Sequence, residues 1–165
     1  GGFVERNPEH LIERGRRDVA LLCVRLQESV HSRERVQGYR RKIAEEGLRE
    51  LIVEADDFSF ESGYRKTCEI LRGQAPADAV FATSDPLALG AMRALKENGL
   101  KVGEDIALLG MDNHDLCSMI DIPLSTVTFD YQRLGELAIE NLFRLINGDT
   151  VKNVKMPPQI VSRQS

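Results

Sequence analysis

A chain of 165 residues with 42% hydrophobic and 29% charged content has the material for one globular domain with a sizeable core. No apolar run approaches the roughly 18 residues of a membrane span, and the N-terminus shows no charged-then-apolar leader. A formal net charge of −4 argues against this segment gripping nucleic acid by itself, since phosphate binding asks for a concentrated basic surface.

Two local basic groups, Arg14, Arg16, Arg17 and Arg40, Arg41, Lys42, read as solvated surface. Cys23, Cys68 and Cys117 are an odd number without CxxC spacing, which predicts free thiols in a reducing cytoplasm. The chain opens Gly1-Gly2 without an initiator Met, so we expect a fragment of a longer polypeptide.

In chain order, apolar runs predict strands at Val19–Val24, Leu51–Ala55, Ala79–Ala82, Ile106–Met111, Thr126–Phe129 and Ile160–Ser162. "VALLCV" and "IALLG" are apolar on successive residues, as expected where helices cover both faces of a sheet. Helical periods fall between the strands at about 33–46, 60–72, 86–98 and 132–147. "EEGL" at 45–48 and "ENGL" at 97–100 each supply a glycine for a left-handed helix end, then a leucine to fold back on the last turn. Strand, helix, Gly-Leu, strand, repeated, describes an α/β fold with a doubly wound, mostly parallel sheet and helices on both faces.

The GxGxxG, GxxxxGK[ST] and GxSxG motifs are all missing, and His10, His31 and His114 have no metal-ligand spacing. Acids recur instead at strand ends: Asp56-Asp57, Asp85 and Asp112, which a parallel sheet brings to one edge. They could hold Mg²⁺, accept hydrogen bonds from the hydroxyls of a small ligand, or simply cap helices. Asp85-Pro86 reads as an N-cap followed by the first helical position. Asp112, in "GMDNHDL", precedes no clear helical pattern, so a ligand role suits it better.

"AVFATSDPLALGAMRALKENGLKVGEDIALLGMDN", "EHLIERGRRDVALLCV" and "HSRERVQGYRRKIAEEGL" resemble the lactose-repressor (LacI/GalR) family of bacterial transcription regulators. "PLSTVTFDYQRLGELAIENLFRLINGD" and "MPPQIVSRQS" resemble the family's closing segment, so the resemblance runs through nearly the whole chain. Periplasmic sugar-binding proteins share the fold and much of the "SDPLALGA" and "GMDN" signature, but "IPLSTVT" and "MPPQIVSRQS" favour the regulator.

The resemblance implies that residues 1–165 form the second of two α/β lobes, with a small-molecule effector between the lobes and operator DNA bound by a headpiece outside this chain. It implies that segment 132–157 crosses toward the first lobe. The stripe Leu134, Leu137, Ala138, Leu142, Leu145 is then expected to dock on the sheet or on a second copy. By the same likeness Arg35, Phe58, Ser84 and Asp112 meet the effector, with His31 and Phe129 at the rim. Arg35 would donate to hydroxyls or a carboxylate, Phe58 would stack on a flat face, and Asp112 would accept. Ser84 departs from an asparagine common in the family, and Ser84 is expected to face the ligand. Read on their own, Arg35 fits an exposed helix arginine equally well, and Phe58 a loop aromatic over the core.

Leu89, Arg93, Leu116, Cys117, Met119 and Ile120 become candidates for a homodimer contact. The implied protein is a cytoplasmic, non-enzymatic repressor that needs no cofactor or metal and has no membrane partner. Two rivals remain: a periplasmic sugar receptor, and a Mg²⁺-dependent phosphoryl-transfer domain built on the strand-end acids.

Overall fold

A computed structural model describes residues 17–24, 30–73, 77–112, 116–151 and 157–165. Within these, the elements run β1 (Val19–Cys23), α1 (Val30–Glu45), β2 (Ile52–Glu54), α2 (Phe60–Arg72), β3 (Ala79–Ala82), α3 (Asp85–Glu97), β4 (Ala107–Met111), α4 (Leu116–Met119), β5 (Ser125–Thr128), α5 (Tyr131–Ile146) and β6 (Gln159–Val161).

The sheet order is β2-β1-β3-β4-β5-β6. All pairs are parallel except the last, where Val127 of β5 faces Ile160 of β6 in antiparallel register. The chain therefore steps outward from β1 to β2 and returns to the other side of β1 for β3. The mostly parallel α/β sheet expected from the apolar runs is the sheet observed.

Period-2 alternation sorts the core into two layers. Val19, Leu21 and Cys23 of β1 join Phe81, Leu109, Met111 and Val127 under Val36, Tyr39 and Ile43 of α1. Ala20 and Leu22 join Val80, Ala82 and Leu108 under Ile70 of α2 and Leu87, Ala91 and Leu95 of α3. Every residue of β1, β3 and β4 is buried, which explains their uninterrupted apolar runs. Tyr39 fastens α1 to the sheet: its hydroxyl donates to the Val19 carbonyl at 2.5 Å and accepts from the Leu51 N–H at 3.1 Å.

The Gly-Leu endings close α1 and α3 as expected. Gly47 and Gly99 take φ of +65° and +76°. Leu48 N–H donates to the Ile43 carbonyl at 2.9 Å, and Leu100 N–H to the Leu95 carbonyl at 3.1 Å, the six-residue closure of a Schellman motif.

Three expectations are corrected. A four-residue helix, α4, lies where no helical pattern is legible, because one turn is too short to show a period. α1 begins at Val30, ahead of the expected 33. The stripe of α5 does not dock on the sheet: Leu142 and Leu145 are exposed, as are Ile139, Phe143 and Ile146, while Leu134 and Leu137 are half-buried. Among the described residues, no helix is long and apolar enough to cross a membrane. Arg14, Arg16, His10 and His114 lie outside the described residues.

Candidate functional site

The carboxyl ends of β1 to β5 share one edge, and at β1 and β3 the following helices diverge to opposite faces, α1 to one and α3 to the other. That divergence is where an open α/β sheet forms a crevice for ligands. The sequence-predicted residues follow those ends: Phe58 after β2, Ser84 after β3, Asp112 after β4 and Phe129 after β5, with Arg35 in α1 beyond β1. His31 belongs to the first turn of α1, and its side chain lies outside the described residues.

Asp112 is the one non-glycine residue with positive φ among the described residues, at +102°. Its N–H donates to the Val127 carbonyl at 2.7 Å, and the residue is exposed. An L-residue held there stores strain, and such outliers gather at functional sites. Arg35 is partly exposed on α1, Phe58 is exposed at 37%, and Phe129 is partly exposed.

The "SDP" motif resolves differently from its expected reading. Ser84, not Asp85, is the N-cap of α3: its Oγ accepts from the Leu87 N–H at 3.3 Å, and Pro86 follows within the first turn. Only 6% of Ser84 is exposed, so its side chain serves the helix end. Asp85 starts the helix and is fully buried, its Oδ1 accepting from Thr126 Oγ1 at 2.7 Å. Nothing in the motif itself discloses Thr126, which lies 41 positions away.

The other strand-end acids are each engaged locally. Asp56 pairs with Arg65 at 2.6 Å. Asp57 accepts from the Ser59 N–H at 2.9 Å and from Ser62 Oγ at 2.7 Å; the Ser59 hydroxyl first, then that of Ser62 and then the Ser59 N–H lower its carboxyl to about 2. Among the described residues, no three His, Cys, Asp or Glu side chains are grouped to hold a metal ion. The Mg²⁺ reading therefore finds no constellation at this edge among those residues.

The face bearing the candidate dimer residues is a second feature. Phe60, Leu89, Met92, Arg93, Ile120 and Asp121 line an open groove of about 500 Å³. Arg93 Nε donates to Glu97 Oε1 at 3.0 Å and its guanidinium lies 6.0 Å from the centre of the Tyr64 ring. The Tyr64 hydroxyl donates to Glu97 Oε2, which raises the Tyr64 phenol and lowers the Glu97 carboxyl. Phe60 and Tyr64 belong to this face but escape a motif-based reading, since their spacing on α2 reads equally as core. Met119 is 76% exposed beside the groove. Cys117 is corrected: it is wholly buried in the core, and its carbonyl accepts from the Leu124 N–H. Leu89 and Ile120 are partly buried against the core, and the Leu116 side chain lies outside the described residues.

Fold and edge together define a domain of the periplasmic binding protein-like class, whose family model matches residues 9–165. The chain is 34% identical over 158 residues to the lactose operon repressor of Escherichia coli (strain K12), covering 95% of this chain and 44% of the repressor. It is 32% identical over 171 residues to the transcriptional repressor PurR of Actinobacillus pleuropneumoniae serotype 3 (strain JL03), covering 100% and 50%. It superposes on the lac repressor dimer bound to operator and the anti-inducer ONPF with a TM-score of 0.84 at 32% identity, covering 98% of this chain and 56% of that one. A regulatory protein of the LacI family from Chloroflexus aggregans gives a TM-score of 0.89 at 27% identity, covering 98% and 59%. The chain belongs to the periplasmic binding protein-like domain family, and the relatives it matches include LacI-type repressors. It spans about half the length of the curated relatives it matches.

Proposed function

We propose that this chain is the effector-sensing and dimerising lobe of a cytoplasmic LacI-type transcription repressor, and that the cleft edge takes a small hydroxylated molecule, a sugar or related metabolite. The observation that carries this reading is Asp112, exposed at the end of β4 with φ of +102°. A carboxylate presented there accepts from hydroxyl or ring N–H groups. Arg35 supplies opposing donors, Phe58 offers a flat apolar face, and Phe129 forms the rim. Ser84 contributes by fixing the start of α3. Relatives named for the lactose and ribose operons support a sugar-sized ligand. No covalent step is needed: ligand that favours one closure of two lobes shifts the balance between DNA-bound and free states.

Segment 132–157 crosses toward the first lobe, where Ile139, Leu142, Phe143, Leu145 and Ile146 find their cover. Their exposure here supports that placement. Leu89, Arg93, Met119 and Ile120 meet a second copy of the chain, supported by the open apolar groove at α3.

The test uses the whole parent polypeptide. Its DNA target is selected from random duplexes, and lactose, ribose and guanine are then titrated into the complex. The expected result is sequence-specific binding that one probe changes, with Asp112→Asn weakening the response about 10- to 100-fold, the scale of a lost hydrogen bond to a charged group. A parent that is exported after leader cleavage and binds no DNA would instead make the lobe part of a transport receptor.

A further inference from the structure

We infer that Asp85 is a positioning residue of the cleft edge: it meets no ligand, but latches the start of α3 to β4 and β5 and so sets where Asp112 stands. The latch rests on geometry alone. Its consequence for affinity rests on reading this edge as the ligand site.

Asp85 is fully buried at the first position of α3, and its Oδ1 accepts from Thr126 Oγ1 at 2.7 Å. Thr126 lies directly opposite Gly110 in the β4–β5 register. Gly110 is the gap through which the carboxylate passes. A Cβ there would collide with Asp85 Oδ1 and stand 3.1 Å from Leu124 Cδ2 and 3.2 Å from Ala88 Cβ. The carboxylate thus crosses over β4 to reach β5.

The connection continues to the site. Val127 follows Thr126, and its carbonyl accepts the Asp112 N–H at 2.7 Å. Asp112 in turn lies two residues beyond Gly110. Ser84, which caps α3, immediately precedes Asp85. One buried side chain therefore bridges from the end of β3 across β4 at Gly110 to β5, linking three of the strands that form the edge.

An apolar side chain between Ala88 and Leu124 would avoid the cost of burying a carboxylate. It could not supply direction. A hydrogen bond with one donor at one angle holds the strand ends in a single relation, whereas apolar contact tolerates sliding. The N-terminal end of the 13-residue α3 offsets part of the burial cost.

The test compares Asp85→Asn, Thr126→Val and Thr126→Ser in the whole parent polypeptide by residue-resolved amide hydrogen exchange. Loss of the latch speeds exchange at the Asp112 amide about tenfold, the scale of one hydrogen bond, while Leu21 and Leu22 in β1 keep their rates. Thr126→Ser, which retains the hydroxyl, restores slow exchange at Asp112. If Asp85→Asn fails to fold, the Thr126 pair decides alone. Equal acceleration at Asp112 and Leu21 would mean a purely global role and overturn the inference, as would an unmoved Asp112. Calorimetry with lactose, ribose and guanine is read separately. A probe that binds the unaltered protein is expected to bind Thr126→Val about tenfold more weakly. Absence of heat with the unaltered protein counts against the ligand reading and leaves the latch to the exchange result.

Discussion

Gly90 of α3 faces the carbonyl of Phe60 in α2 with no room for a side chain between them; a Cβ on Gly90 would also lie 2.7 Å from the Tyr64 nitrogen. Gly63 of α2 meets the backbone of Leu87 in the same way, its Cβ falling 2.8 Å from the Leu87 Cα. Two helices on one face of the sheet thus touch backbone to backbone, which sets the depth at which α3 presents its N-terminus to the cleft edge.

Gly90→Ala is therefore expected to destabilise the fold by about 1–3 kcal/mol, because the obstacle is backbone and cannot rotate away. Helix propensity alone would favour alanine by about 1 kcal/mol. Gly135→Ala in α5, with nothing within 4 Å, isolates that propensity effect and is expected to gain about 0.5–1 kcal/mol. Urea unfolding of the two variants should move the midpoint in opposite directions.

Tyr39 sits fully buried, and burial first, then the charge of Glu50 among smaller influences, pushes its phenol from 10.0 up to about 12. The fold favours the neutral phenol. Its stabilisation is complete below about pH 10 and is lost as pH rises toward 12. Tyr39→Phe is expected to lower stability at neutral pH by about 1–3 kcal/mol, since the Leu51 N–H loses its acceptor. Between pH 10 and 12 the variant should show a shallower fall in denaturant midpoint than the parent sequence.

Asp57 carries the opposite sign. Hydrogen bonds from Ser59 and Ser62 hold its carboxyl at about 2, below the ordinary 3.8. Its contribution is present above about pH 4 and is lost as pH falls toward 2. A carboxyl ¹³C titration should place Asp57 near that value, and Ser62→Ala should raise it.

The outer face of α5 supplies the fourth expectation. Leu142 is half exposed and Phe143 is 60% exposed, so neither supports the lobe itself. Leu142→Asp combined with Phe143→Ser should leave the unfolding midpoint of this chain within about 0.5 kcal/mol of its starting value. Light scattering should show its self-association weakened about tenfold or more, as expected when exposed apolar area is the driving contact. Unchanged association would place the sticky surface elsewhere.

Much of the architecture is legible in the residues because it is local. β1, β3 and β4 announce themselves through runs such as "VALLC" and "AVFA", since a strand covered on both faces has no solvent side to mark with polar residues. The endings of α1 and α3 are equally local, because Gly47 and Gly99 answer a backbone requirement that a four-residue motif states in full. The position of Asp112 is legible too, as an acid at the end of β4.

Other features depend on partners far along the chain. "SDP" accommodates either Ser84 or Asp85 as the cap. The choice is made by Gly110 and Thr126, which open a buried berth for one carboxylate and leave the serine to the helix end. Cys117 reads as part of an apolar loop suited to a partner, yet it closes the core beside Leu124. The stripe of α5 has the period of a packed helix, and period alone does not say what covers it. Periodicity and capping are written over a few neighbouring residues, so the sequence by itself determined the elements other than the one-turn α4, their order and the edge where their ends gather. Which polar side chains stay exposed at that edge and which are consumed inside depends on contacts between residues tens of positions apart, and only the tertiary structure decided those.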